Sequence, residues 1–292
     1  MLAWSVVGLV VVIVAVLVIV NVTGGHPKTP STYGPATAQD LKALTGNALS
    51  VFNTVGAPSG TTLQYTKQAF HTLPAKVPPL SLVSGPLPEV FYLGAEDCPF
   101  CAATRWGLIM ALSRFGTFSR LGRMTSSAVD RYPLTNTFTF YGSTYSSHYL
   151  DFVPVEMSTN QPCTTGASNC AVDGYVKLQS MTPAESRIAG KYDAPPYTGP
   201  ATSGNSGGAV PFVDFNGKLI LSGAPYDPGI LAGMTWPEID SAITSGNSTI
   251  APVIIGVANS FSAAICATTG DRPASVCNSS GVTAAAKAIG VK

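Results

Sequence analysis

Glu89-Val-Phe-Tyr-Leu-Gly-Ala-Glu-Asp-Cys-Pro-Phe-Cys-Ala-Ala-Thr-Arg-Trp-Gly-Leu-Ile-Met-Ala-Leu-Ser-Arg-Phe115 changes its hydrophobic rhythm halfway along. The run Glu89 to Leu93 is short, apolar and partly β-branched, which suits a buried strand. Beyond the turn Gly94-Ala95-Glu96-Asp97, the stretch Pro99 to Phe115 places Ala102, Trp106, Ile109 and Leu112 on one helical face. Cys98 and Cys101 therefore fall at a strand-to-helix junction. A helix start offers unpaired N–H groups and a partial positive charge, and both favour a thiolate. Pro99 fits the first turn, where its missing N–H is not needed. Cys98 is expected to be the attacking sulfur, with Cys101 one turn further in to resolve a mixed disulfide. Glu96 and Asp97 oppose ionisation of Cys98, and Arg105 favours it.

Other readings of the pair are weaker. Zinc would need a second pair of ligands, and the remaining cysteines are widely spaced. A c-type haem site would need His where Ala102 stands. An inert structural disulfide remains an alternative. No cofactor is expected.

Downstream, Phe138 to Tyr141 and Tyr149 to Met157 read as strands, and Tyr175 to Lys191 as a helix ending near Gly190. Val210 to Phe215 and Lys218 to Leu221 form a hairpin around Asn216-Gly217, a strong turn signal. Trp236 to Thr244 is a helix with Pro237 near its start. A proline opening an apolar strand cannot donate to the ladder, so Pro211 after Val210 asks for a reason. Strand, helix, strand, helix, hairpin, helix is the order of a thioredoxin fold.

The run from Phe91 to Ala103, with Arg105-Trp106, Ala111 to Gly116, Thr137-Phe-Thr-Phe-Tyr-Gly-Ser143, Pro211-Phe-Val-Asp-Phe215 and Leu221-Ser-Gly223, resembles a family of uncharacterised prokaryotic membrane-anchored thioredoxin-like proteins. The likeness spans roughly Leu80 to Ser245. It implies a thioredoxin-like fold, with Cys98, Cys101 and a cis Pro211 in the usual roles and Pro99, Phe100, Val210 and Arg105 supporting the motif. It implies no substrate.

Outward from this core, Leu2 to Val20 is an apolar run broken only by Ser5 and Gly8. As a helix it would be about 28 Å long, near the thickness of a bilayer core. It is read as an anchor rather than a cleaved leader, since no basic n-region precedes it and no A-x-A site follows. The expected organisation is an anchor over 1–22, a stalk with a short helix within Thr37 to Phe52 over 23–60, a thioredoxin-like domain over 61–245 with a loop-rich insertion at 158–208, and a helical C-terminal extension over 246–292. Pro74 to Pro88 reads as an extended connector.

The six cysteines fall into three sequence-local pairs. Cys163 with Cys170 is expected to close a surface loop, and Cys266 with Cys277 to staple a helix to the chain after a turn. Disulfides persist outside the cytosol, which places the soluble part on the extracytoplasmic side. Sequons at Asn21, Asn247 and Asn278 lean the same way. Charged residues are 11% of the chain, hydrophobic ones 46%, and no basic block interleaves with aromatics, so nucleic-acid binding is disfavoured. His148 reads as a strand-edge histidine rather than a proton shuttle.

The function expected from these residues is a membrane-anchored thiol–disulfide oxidoreductase acting on extracytoplasmic protein thiols or disulfides. A single helix cannot relay electrons, so turnover would draw on an integral membrane partner or on soluble thiols. The alternative is a non-catalytic scaffold or assembly subunit of a membrane complex.

Overall fold

A computed structural model describes residues 33–164, 166–198, 209–246 and 248–291. The apolar run 2–20 and the sequons at 21 and 247 lie outside the described residues. The chain is mixed α/β, built on a five-stranded sheet.

The sheet's centre is β2 (Glu89–Gly94), buried at every position. Central strands covered on both faces read as continuous apolar runs, and this one does. It pairs in parallel with β7 (Asp151–Glu156), Phe91 opposite Val153. On its other side runs antiparallel β10 (Phe212–Phe215), Phe212 opposite Leu93. β11 (Leu219–Ser222) returns from β10, and the edge strand β1 (Phe70–Thr72) pairs antiparallel with it. The β10–β11 turn is made by Asn216 and Gly217, both at positive φ (54° and 70°), closed by Lys218 N–H donating to the Phe215 carbonyl at 3.0 Å. Those are the dihedral signs of the type I′ turn that Asn-Gly favours. A Cβ at position 217 would also collide with the Pro78 carbonyl.

Each face of the sheet is covered. On one, α4 (Pro99–Leu112) is buried almost all round, because α7 (Ala251–Thr269) lies over its outer side. Gly107 permits that approach: a Cβ there would stand 3.2 Å from Val257 Cγ1. Trp106 packs edge-on against Phe138 at 4.8 Å and donates to the Asn136 carbonyl at 3.0 Å. On the other face, Phe91, Leu93 and Phe212 meet Leu73, Ala189 and Tyr192, the last two from α5 (Pro183–Tyr192). Side ribbons β3 (Gly116–Ser119) with β6 (Thr144–Ser147), β4 (Gly122–Thr125) with β5 (Asn136–Thr139), and β8 (Ser158–Pro162) with β9 (Tyr175–Lys177) complete the strands among the described residues.

Three expectations need correction. The helix read over Tyr175 to Lys191 starts only at Pro183, where Thr182 and Glu185 form a reciprocal capping box; Tyr175–Lys177 is a strand instead. The segment read as a C-terminal extension is core: Ile254, Ile255, Val257, Phe261 and Ile265 of α7 belong to the same buried cluster as α4 and the sheet. That helix has the length and composition of a membrane span, but 83% of it is buried inside the fold.

The segment read as stalk is also docked. α1 (Ala38–Thr45) lies against α6 (Trp236–Ser245), and α2 (Leu49–Val55) against α7 and α9 (Ser280–Ile289). Two side-chain devices hold them. The Arg123 guanidinium grips Asp40 with two hydrogen bonds, of 2.8 and 2.7 Å. Asn259 Nδ2 donates to the carbonyls of Phe52 and Gly56, each at 2.8 Å.

Cys163–Cys170 and Cys266–Cys277 are paired as disulfides, each with Cα atoms 5.6 Å apart. The second ties the C-terminal end of α7 to α8 (Ala274–Cys277), as expected. Replacing Cys266 and Cys277 together by Ala is expected to lower stability by about 2–3 kcal/mol, the loop-entropy value for so short a closure. Urea denaturation of the two proteins under non-reducing conditions checks it.

Candidate redox site at the start of α4

Cys98 is the N-cap of α4 and Pro99 its first residue. The Cys101 backbone N–H donates to Cys98 Sγ at 3.3 Å, so a free helix-terminal donor points at the sulfur. Cys98 retains 8% of its surface, and Cys101 none. Both are free thiols. Burial drives the Cys101 thiol well above its ordinary range, and the hydrogen bond and charge of Cys98 add to that. The pair is thus asymmetric: one sulfur reachable and capped by an amide, one sealed and held protonated.

Val210 and Pro211 come to this pair from 112 residues away. The Val210–Pro211 peptide is cis. The Val210 carbonyl lies 3.8 Å from Cys98 Sγ, and the Pro211 carbonyl accepts from Gly223 N–H at 2.9 Å. Phe100 and Val210 pack on Ala95, Cys98 and Cys101. Beside them a cleft of about 320 Å³ is lined by Tyr65, Phe100, Ala209, Val210, Gly223 and Ala224. Its walls carry no charged side chain.

Arg105 is in a different place from the one its sequence position suggested. It is fully buried, four residues beyond Cys101 and hence on the same helical face. Its Nε and Nη2 donate to the two carboxylate oxygens of Glu156 at 3.0 and 2.6 Å, and Nη2 also reaches the Ala95 carbonyl at 2.8 Å. Its charge is spent on Glu156, so it serves the floor of the site rather than Cys98. Beside it, the Tyr92 ring faces the guanidinium at 5.9 Å, with its hydroxyl buried and without a hydrogen-bond partner. That hydroxyl occupies the space a Cβ would need at position 94, which is why the turn begins with glycine.

The flanking acids are also changed by the fold. Burial, then the charge of Glu156, pushes Glu96 up to about 7, although Thr139 Oγ1 donates to it at 2.6 Å. Burial pushes Asp97 up to about 6. The opposition to a thiolate read from Glu96 and Asp97 is therefore muted below about pH 6. Sequence reasoning missed Tyr92, Glu156, Ser158 and Asp173. Of these only Glu156 left a signal, as the one charge late in an otherwise apolar strand. His148 is exposed in the bend after β6, consistent with the edge role read for it. Asn278 is exposed as well. Among the described residues no group of three or more His, Cys, Asp or Glu could hold a metal ion.

A family profile described as a domain of unknown function (DUF929) matches residues 73–267. The chain belongs to that family. The DUF929 span contains Cys98, Cys101, the Val210–Pro211 peptide, Arg105 and Glu156, four strands of the main sheet, and α7 almost to its end. It leaves out the edge strand β1 and helices α1 and α2. No curated protein and no solved structure matches the chain.

Proposed function

We propose that this DUF929 protein is a thioredoxin-like thiol–disulfide oxidoreductase, anchored in the membrane by residues 2–20 and working on protein cysteines outside the cytosol. One observation carries the redox reading: a barely exposed, amide-capped Cys98 at a helix start, next to the Val210 carbonyl, with a sealed Cys101 one turn behind. The fold reading is supported by the parallel β2–α4–β7 unit followed by the antiparallel β10–β11 hairpin, in the strand order β11-β10-β2-β7. The location reading is supported by two disulfides and the apolar run ahead of the described residues.

In the reductive direction, the Cys98 thiolate attacks a client disulfide. The client S–S bond breaks, one client sulfur leaves and takes up a proton, and a Cys98–client disulfide forms. Cys101 then loses its proton and attacks Cys98 Sγ, releasing the second client sulfur. Two electrons have passed to the client, and a Cys98–Cys101 disulfide remains. The oxidative direction reverses each step. An external dithiol or disulfide must reset the pair in either case.

Replacing Cys101 by Ser is expected to leave Cys98 joined to client proteins as lasting mixed disulfides, visible as reducible high-mass bands from the native membrane. Replacing Cys98 by Ser is expected to abolish them, because the remaining sulfur is fully buried. If the Cys101→Ser protein traps nothing while its Cys98 still reacts with a small alkylating agent, the scaffold reading replaces this one.

A further inference from the structure

Ser158 is buried, and its single hydroxyl oxygen stands 2.6 Å from two carboxylate oxygens, Oδ1 of Asp97 and Oδ2 of Asp173. A hydroxyl has one proton to donate. With both carboxyls ionised, it could satisfy one and would set a lone pair against the negative oxygen of the other. Both contacts have the length of charge-assisted O–H···O⁻ bonds. The geometry therefore requires one more proton than two ionised carboxylates supply. Asp97 is 5% exposed and Asp173 lies on the surface, so the extra proton belongs on Asp97.

We propose that Asp97, Ser158 and Asp173 share a proton in a carboxyl–hydroxyl–carboxylate bridge, and that this bridge positions the turn carrying Cys98 by fastening it to the disulfide-closed β8–β9 hairpin. The inference rests on the redox reading of Cys98 for its functional meaning. Three backbone facts agree with it. Glu96 N–H donates to the Ser158 carbonyl at 2.9 Å, Ser127 N–H donates to the Asp97 carbonyl at 2.8 Å, and Asp173 Oδ1 accepts from Tyr175 N–H at 3.1 Å. The turn before Cys98 is thus held from two sides, by Ser127 and by the hairpin, and the hairpin side is also held through a titratable bridge.

The groups around Asp97 decide when the proton leaves. Asp173 faces it from the hairpin and Asp130 from the loop after β4, while Glu96 precedes it on the same turn; Tyr175 completes the hairpin side. Burial is the main reason the proton stays on Asp97, and the charges of Asp173 and Asp130 add to it, in agreement with its rise to about 6. The sign follows: Asp97 keeps its proton, and the bridge holds, up to about pH 6, and both are lost as pH rises through that value. Ionised Asp97 then sets a negative charge one residue from Cys98 and opposes its thiolate.

The test is the pH profile of Cys98 alkylation by iodoacetamide, in the full chain carrying Cys101→Ser. The logarithm of the rate should climb one unit per pH unit at first. Near pH 6 it should fall behind, by about threefold to tenfold in rate, the effect of one nearby charge at partial exposure. Asp97→Asn should remove the lag. Asp173→Asn, at an exposed position that threatens no core contact, should move it to lower pH, because Asp97 then has no second carboxylate to share with. A lag unchanged in Asp173→Asn, or no lag in the parent protein, overturns the bridge. Alkylation needs no client. A lag without client capture would sink the redox reading and leave the bridge standing, whereas capture without a lag would do the reverse.

Discussion

Replacing Arg105 by Met is expected to destabilise the protein by about 3–5 kcal/mol, the range for removing one member of a buried ion pair. Both side chains of the Arg105–Glu156 pair are fully inaccessible. Without the guanidinium, the Glu156 carboxylate is left, among the described residues, with the Phe140 backbone N–H at 3.5 Å. The carboxylate would be forced to take up a proton or leave the interior. The loss should therefore be smallest in acid, where a carboxyl can be buried neutral, and grow as pH rises through the ordinary carboxylate range. A second substitution, Glu156→Gln, should recover much of the stability, because it removes the charge that has no partner. Urea titrations of the single and double variants at pH 5 and pH 7 measure both effects. A single variant as stable as the parent at pH 7 would mean that the pair is not sealed from water.

A chain ending at Ser245 is expected not to fold at all. Five large side chains of α7, Ile254, Ile255, Val257, Phe261 and Ile265, are essentially without solvent exposure. At about 1.5–3 kcal/mol each, their burial amounts to roughly 8–15 kcal/mol, the whole net stability of an ordinary domain. Removing them also strips the outer face of α4, the helix at whose start both free cysteines stand. The shortened chain should aggregate or show no dispersed amide NMR spectrum. A soluble, cooperatively melting product would restore the boundary that the sequence suggested at 245.

How much was legible follows from which signals are local. The β2–α4 junction could be read because the change from a continuous to a helical apolar rhythm happens at the cysteines themselves. The β10–β11 hairpin was legible because Asn216-Gly217 encodes its own dihedrals. Both accessory disulfides were legible from proximity in sequence. α7 was misjudged because its apolar residues surround it instead of forming a stripe, and nothing local tells a buried core helix from an appendage. The three side ribbons were missed, apart from part of β5, because strands such as Thr144–Ser147 have little apolar content and owe their place to pairing partners. The site shows the same division. Cys98, Cys101, Val210 and Pro211 are brought together as read. Arg105 was read as a helper of Cys98 because its partner, Glu156, lies 51 residues further on. Ser158 and Asp173 carry no local mark of chemistry whatever.

The pairing of β1 with β11 has a consequence for how the chain is made. Phe70 lies opposite Leu221, 151 residues later in the sequence. A chain synthesised from its amino end produces this edge strand well before the strand that receives it. Until β11 emerges, the segment from α1 to β1 has no sheet to join, and α2 has no α7 to lean on. Contacts so distant in sequence form slowly and leave apolar strands open to other chains in the interval. Through much of synthesis the nascent chain therefore carries Cys98 and Cys101 on an incomplete scaffold, and Val210, which packs against them, arrives 112 residues after Cys98.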